Sequence, residues 1–194
     1  MITKAKENSP SLSRTPLRER RPFLWIEAID VPRKLPPSAE AGLPLLTELL
    51  IDEIGSLVRS LVNHTVAAQN EQRRREGRIE GVTLSVLNRR RRAARAWIVT
   101  ILRGQVDRAT LHAVAHSWLP QLCGTGPSIR NASKPARRYM EFLRGLMTAH
   151  VMRRVAENLV PEAKALHALE TILAIHLRAL EEAVNAEAHR DLSI

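Results

Sequence analysis

A chain of 194 residues is long enough to bury one substantial core without staples, and its single cysteine, Cys123, excludes an intrachain disulfide. Thirty Lys plus Arg against 20 Asp plus Glu give a formal net charge of +10, which favours an anionic partner; an aromatic content of 3% disfavours recognition of single strands by base stacking. No apolar run reaches the roughly 20 residues needed to span a bilayer, and Lys4, Lys6, Glu7 and Asn8 interrupt any secretory core, so a cytoplasmic protein is expected.

Residues 1–40 read as a Pro/Arg-rich N-terminal arm. Pro10, Pro16, Pro22, Pro32, Pro36 and Pro37 prevent any long helix there. Within the arm, Phe23, Leu24, Trp25 and Ile26 form an apolar cluster expected to dock on the body or on a partner. Residues 41–194 are expected to form a helical bundle domain.

From Leu45 the pattern turns helical. Leu46, Leu50, Ile54, Leu57 and Leu61 recur at spacings of three and four, which predicts one helix running to near Glu76. Gly77 and Gly81 bracket a break. A second helix carries Leu84, Leu87, Ala94, Trp97, Ile98, Ile101 and Leu102 and stops at Gly104. Asp107 is the expected N-cap of a third helix, with Leu111, Val114, Ala115, Trp118 and Leu122 on one face. Gly124 to Ser128 reads as a loop, and Ser133 as the cap of a fourth helix bearing Tyr139, Phe142, Leu143, Leu146 and Met147. Pro161 opens a fifth helix with Leu166, Leu169, Leu173, Leu177, Leu180 and Val184. No segment shows the period of two that a strand requires. The fold class is therefore an all-α bundle of about five helices.

Positive charge is densest at the predicted hairpin between the first two helices. Residues 59–95 carry ten arginines against three glutamates. Arg73, Arg74 and Arg75 precede the tip, Arg78 lies in it, and Arg89, Arg90, Arg91, Arg92 and Arg95 lie on the return helix. Consecutive helical residues point about 100° apart, so four successive arginines cannot all face one core, and at least two must project into solvent. Guanidinium forks suit phosphate contact, which carries affinity with little sequence information. A solvated face is the plain alternative, since Arg73 to Arg75 also complement a helix C-terminus. The acidic fifth helix is a candidate cover for this region, in its own chain or in a second copy.

Other constellations are weaker. His112 and His116 share a helical face, but Ala113 stands where the zinc-protease pattern needs Glu. His150 and His176 fall on or beside the apolar stripes of the fourth and fifth helices; inward histidines on neighbouring helices are compatible with haem or a metal. The simpler reading is a core histidine satisfied by hydrogen bonds. A helix-turn-helix needs a turn of three or four residues, and the third and fourth helices are separated by the longer stretch Cys123 to Ala132. The lone helical glycines Gly55 and Gly145 suggest close helix approach. No nucleophile with its base and no acid–base pair is legible. The sequence thus predicts a non-enzymatic regulatory or binding protein contacting nucleic-acid phosphates or another anionic macromolecule through the arginine hairpin, with no resident cofactor. The alternative is a ligand- or cofactor-sensing bundle that uses His150 and His176 and acts through protein contacts. A protein partner or a homo-oligomer is compatible with either.

Overall fold

The helical periodicity from Leu43 onward is realised as a succession of helices packed on one core. The computed structural model describes residues 34–77, 81–123, 133–158 and 162–190. The docking expected of Phe23 to Ile26 lies outside them. The elements are α1 (Pro37–Glu40), α2 (Leu43–Leu50), a 3-10 turn (Ile51–Glu53), α3 (Ile54–Arg75), α4 (Leu84–Leu102), α5 (Arg108–Cys123), α6 (Ser133–Asn158) and α7 (Glu162–Arg190). No strand occurs among the described residues. The architecture is an all-α bundle in which α3 to α7 are the five long helices.

The first predicted helix is divided. Leu50 takes φ −115° and ψ −9°, off the helical values, and the 3-10 turn follows it. The bend shifts the main partners: α2 lies chiefly on α7 and α6 with a smaller contact to α4, whereas α3 lies chiefly on α4 and then α6. Leu46, Leu50, Leu57 and Leu61 are all fully buried across the break, each contributing about 1.5–3 kcal/mol relative to exposure. The apolar period survives the bend, so the sequence pattern conceals it.

The packed body begins before residue 41, within the stretch read as arm. Leu35 and Ala39 belong to the hydrophobic core, and α1 packs on α7. Pro36 is the N-cap of α1 and Pro37 its first residue, where a missing N–H costs nothing because no intrahelical partner exists there.

Two glycines fix close approaches. At Gly42 a Cβ would fall 2.1 Å from the Lys164 carbonyl oxygen, so α2 begins against the backbone of α7. Gly104 has φ +61° and ends α4: its N–H donates to the Ile101 carbonyl (2.9 Å) and the Gln105 N–H to the Thr100 carbonyl (3.1 Å). This is the six-to-one and five-to-two bonding of a Schellman stop. The Thr47 hydroxyl of α2 reaches the Leu102 carbonyl at 2.7 Å, satisfying another terminal acceptor. The approach expected at Gly55 and Gly145 is corrected. Both face open space, and a Cβ at either position would meet nothing within 4 Å.

The helices α6 and α7 run antiparallel, pinned by Arg137 to Glu181 (2.9 Å) and Arg144 to Glu170 (2.8 Å). Asp107 caps α5 as predicted: its Oδ1 accepts from the Thr110 N–H at 2.9 Å. The hydrogen bonds from Thr110 hold the Asp107 carboxyl below the usual carboxylate range.

Candidate functional site

The hairpin forms. The helix α3 ends with Gly77 at φ +71°, and α4 returns alongside it, bringing Gln69 of α3 against Arg90 of α4. Arg78 lies outside the described residues.

The arginine run divides by helical phase. Arg90 lies one and two turns before Ala94 and Trp97, on the stripe that faces the core, and is only 3% exposed. The expectation that Arg90 joins the surface contacts is therefore corrected. Its Nη2 donates to Gln69 Oε1, and no hydrogen-bond partner occupies its Nε or Nη1. Desolvation pushes this guanidinium below its ordinary pKa; Tyr139 opposes the shift and Arg73 adds to it.

Arg91, Arg92 and Arg95 fall within about 100° of one another on the opposite face of α4 and are exposed, as is Arg89 on its flank. The sequence of α4 contains no acidic residue. None of these four arginines makes an ion pair or side-chain hydrogen bond among the described residues. On α3, Arg74 is exposed, Arg73 is half-buried, and Arg75 pairs with Glu71 one turn before it.

Elsewhere several arginines are met by glutamate, although the exposed Arg59, Arg103 and Arg138, which are not clustered, also make no ion pair among the described residues. Beyond the pairs at Arg137 and Arg144, Arg153 of α6 reaches Glu53 of the 3-10 turn at 2.6 Å, and Arg178 reaches Glu182 at 3.0 Å. Glu170 and Glu181 of α7 thus pair with α6, and Glu182 pairs within α7. Glu170 and Glu181 do not cover α4.

The two candidate ligand histidines are not brought together. In the register set by the α6–α7 ion pairs, His150 stands opposite about residue 164, roughly 18 Å along the axis from His176. His150 Nδ1 lies 3.4 Å from Glu53 Oε2 and 3.1 Å from the Arg153 guanidinium. His176 is fully buried. Trp97 Nε1 donates to its Nδ1 at 3.1 Å, and its Nε2 faces the Gln105 carbonyl at 3.2 Å. Both ring nitrogens are thereby used, leaving no lone pair for a metal. Among the described residues no group of three His, Cys, Asp or Glu side chains is placed to hold a metal ion.

Sequence reasoning misses His64. Its ring stacks on Phe142 (centroids 4.0 Å apart, planes 6° apart) and meets Tyr139 edge-on at 5.6 Å, joining α3 to α6. Burial pushes its imidazole below the ordinary value. The signal available was position alone: His64 follows the buried Leu61 by three residues, at the edge of the α3 stripe.

The loop expected at Gly124 to Ser128, the linker to Ala132 and the His116 side chain lie outside the described residues. No helix among those described is long and apolar enough to cross a membrane. No protein-family model matches the chain, and no curated protein or solved structure shows significant similarity to it.

Proposed function

We propose that the protein is a non-enzymatic binding module that holds nucleic-acid phosphates on the outer face of the α3–α4 hairpin. Arg91, Arg92 and Arg95 form the centre of the contact, with Arg89 and Arg74 at its margins. One observation carries the reading: four exposed guanidiniums, Arg89, Arg91, Arg92 and Arg95, are clustered on α4 without acidic partners among the described residues, while Arg137, Arg144, Arg153 and Arg178 are each paired with glutamate. Exposed charge left unneutralised attracts polyanions from solution and adds affinity by releasing their counterions.

The contact is to backbone rather than to bases. Arginine at several phases of one exposed helix can follow phosphates, and the described hairpin offers no exposed aromatic ring for stacking. Regulation by occupancy of nucleic acid is the natural role for such a module.

Fluorescence anisotropy with a labelled duplex at about 50 mM salt tests this reading, because phosphate contacts are strong there. Arg91→Gln/Arg92→Gln/Arg95→Gln should lose at least about tenfold in affinity. Arg137→Gln/Arg144→Gln, which removes paired arginines, should lose far less. Equal losses in the two variants would reduce the effect to net charge and sink the assignment.

A further inference from the structure

The exposed arginine side of α4 does not end at Arg95. Arg103, the C-cap of α4, is exposed and makes no ion pair or side-chain hydrogen bond among the described residues. Counting about 100° per residue, it falls between Arg89 and Arg92 in phase, about 16 Å past Arg92 along the axis. A cation at this position commonly serves the last carbonyls of a helix. In α4 those carbonyls are satisfied without it. Val99, Thr100 and Ile101 accept from the backbone N–H groups of Arg103, Gln105 and Gly104, and Leu102 accepts from the Thr47 hydroxyl. The Arg103 guanidinium is thereby left to solvent.

The N-terminal stretch joins the body at this same end. Leu35 is buried against Gly104, where a Cβ would fall 2.7 Å from Leu35 Cδ1, so the chain before it starts beside the C-terminus of α4. Residues 1–33 lie outside the described residues, and their sequence states the charge they carry. Arg14, Arg18, Arg20 and Arg21 fall within eight positions that contain one acid, Glu19. Residues 22–34 are balanced, with Glu27 and Asp30 against Arg33 and Lys34. A neutral spacer thus separates an arginine cluster from its anchor, with a reach of up to about 45 Å when extended. The row from Arg89 to Arg103 is only about 21 Å long.

We propose that Arg14, Arg18, Arg20 and Arg21 form a second contact for the same nucleic-acid duplex, tethered at the Leu35–Gly104 anchor and continuing the α4 arginine row past Arg103. This second contact rests on the α4 reading: a duplex lying along the row passes the anchor, presenting a phosphate every 3.4 Å or about that on each strand. Tethering makes the second contact intramolecular, so the spacer sets its effective concentration. Both contacts neutralise phosphates and release counterions, and neither reads bases. Arg103 bridges them.

The probe is a labelled duplex of about 20 base pairs, roughly 68 Å long and able to meet both contacts, titrated by anisotropy with the full chain between about 50 and 300 mM salt. Arg14→Gln/Arg18→Gln/Arg20→Gln/Arg21→Gln should make the slope of log affinity against log salt shallower by about two to three units, and Arg103→Gln by about one. Arg137→Gln/Arg138→Gln/Arg144→Gln/Arg178→Gln removes equal charge from α6 and α7 and should change the slope by less than about one unit. Circular dichroism verifies that each variant folds. A wild-type slope in the arm variant or in Arg103→Gln, or equal changes in the arm variant and the α6–α7 control, would overturn the proposal. So would tighter binding by the arm variant, which would put the arm on the exposed Glu40, Glu48 and Asp52 in competition with the duplex. The two readings fail separately: the second contact fails alone when Arg91→Gln/Arg92→Gln/Arg95→Gln loses slope and the arm variant does not, whereas the α4 reading fails when that triple variant keeps the wild-type slope. A wild type that does not bind sinks both.

Discussion

The indole N–H of Trp97 donates to Nδ1 of His176 at 3.1 Å, which ties α4 to α7 through the centre of the core. An indole can only donate, so Nδ1 is the acceptor and the imidazole proton resides on Nε2, facing the Gln105 carbonyl at 3.2 Å. The pair is a structural bridge between two long helices. Trp97 also packs on Trp118, with ring centroids 5.2 Å apart.

That bridge makes the fold acid-sensitive. Burial lowers the His176 pKa to about 4, the bond to Gln105 opposing the shift, while an unfolded histidine titrates near 6.5. The unfolded chain therefore takes up the proton first. Stability is undiminished above about pH 6.5 and falls as pH drops toward 4, by up to about 3 kcal/mol. His176→Leu abolishes this fall but orphans the Trp97 N–H and the Gln105 carbonyl, at a cost of about 1–3 kcal/mol at pH 7.5. Urea unfolding at pH 7.5 and 5.0 should show the variant's deficit shrinking by about 2 kcal/mol at the lower pH. A deficit unchanged between the two pH values would contradict it.

Two glycines should respond with opposite signs. Gly42→Ala forces a methyl into the Lys164 carbonyl and should destabilise by more than about 2 kcal/mol. Gly145→Ala, exposed and with open space around it, should stabilise by up to about 1 kcal/mol through helix propensity. Thermal unfolding of both variants checks the pair. A Gly42→Ala protein as stable as wild type would mean that α2 does not start against α7.

The cap at Asp107 gives a third measurement. Asp107→Ala should cost about 1 kcal/mol at neutral pH, and Asp107→Asn much less, since the amide oxygen still accepts from the Thr110 N–H. Because the folded carboxyl is held below its ordinary pKa, its contribution is present above the unfolded value and is lost as pH falls through the folded one. The gap between wild type and Asp107→Ala should therefore narrow in acid. Chemical denaturation at about pH 7 and about pH 3 reads it directly.

Much of this architecture is legible in the sequence because burial repeats with the helical period. Leu57, Leu61, Trp97, Ile98, Leu143, Leu169 and Leu180 are all buried where a 3.6-residue period puts them. The division of α2 from α3 is not, because Leu50 changes direction without leaving the apolar stripe. Leu84 shows the opposite error. It reads as part of the α4 stripe, yet lies more than about 100° from the Trp97 line and is 68% exposed.

Arg90 is the instructive case at the site. A run of identical residues carries no periodic signal of its own, so Arg89 to Arg92 look equivalent. Extending the register back from Trp97 through Ala94 reaches position 90 and singles it out. What no periodicity conveys is pairing between distant helices. That Glu170 and Glu181 meet Arg144 and Arg137 rather than the α4 arginines depends on the antiparallel register of α6 and α7.

The salt dependence of duplex binding bears hardest on the assignment of the α4 arginine face. On B-DNA each phosphate contact contributes about −0.9 to the slope of log affinity against log salt. Arg91→Gln/Arg92→Gln/Arg95→Gln should keep the helical fold, verified by circular dichroism, and show a slope shallower than wild type by about two to three units. A wild-type protein that fails to bind duplex at about 50 mM salt, or a triple variant whose slope equals that of wild type, would contradict the α4 arginine face as the binding surface.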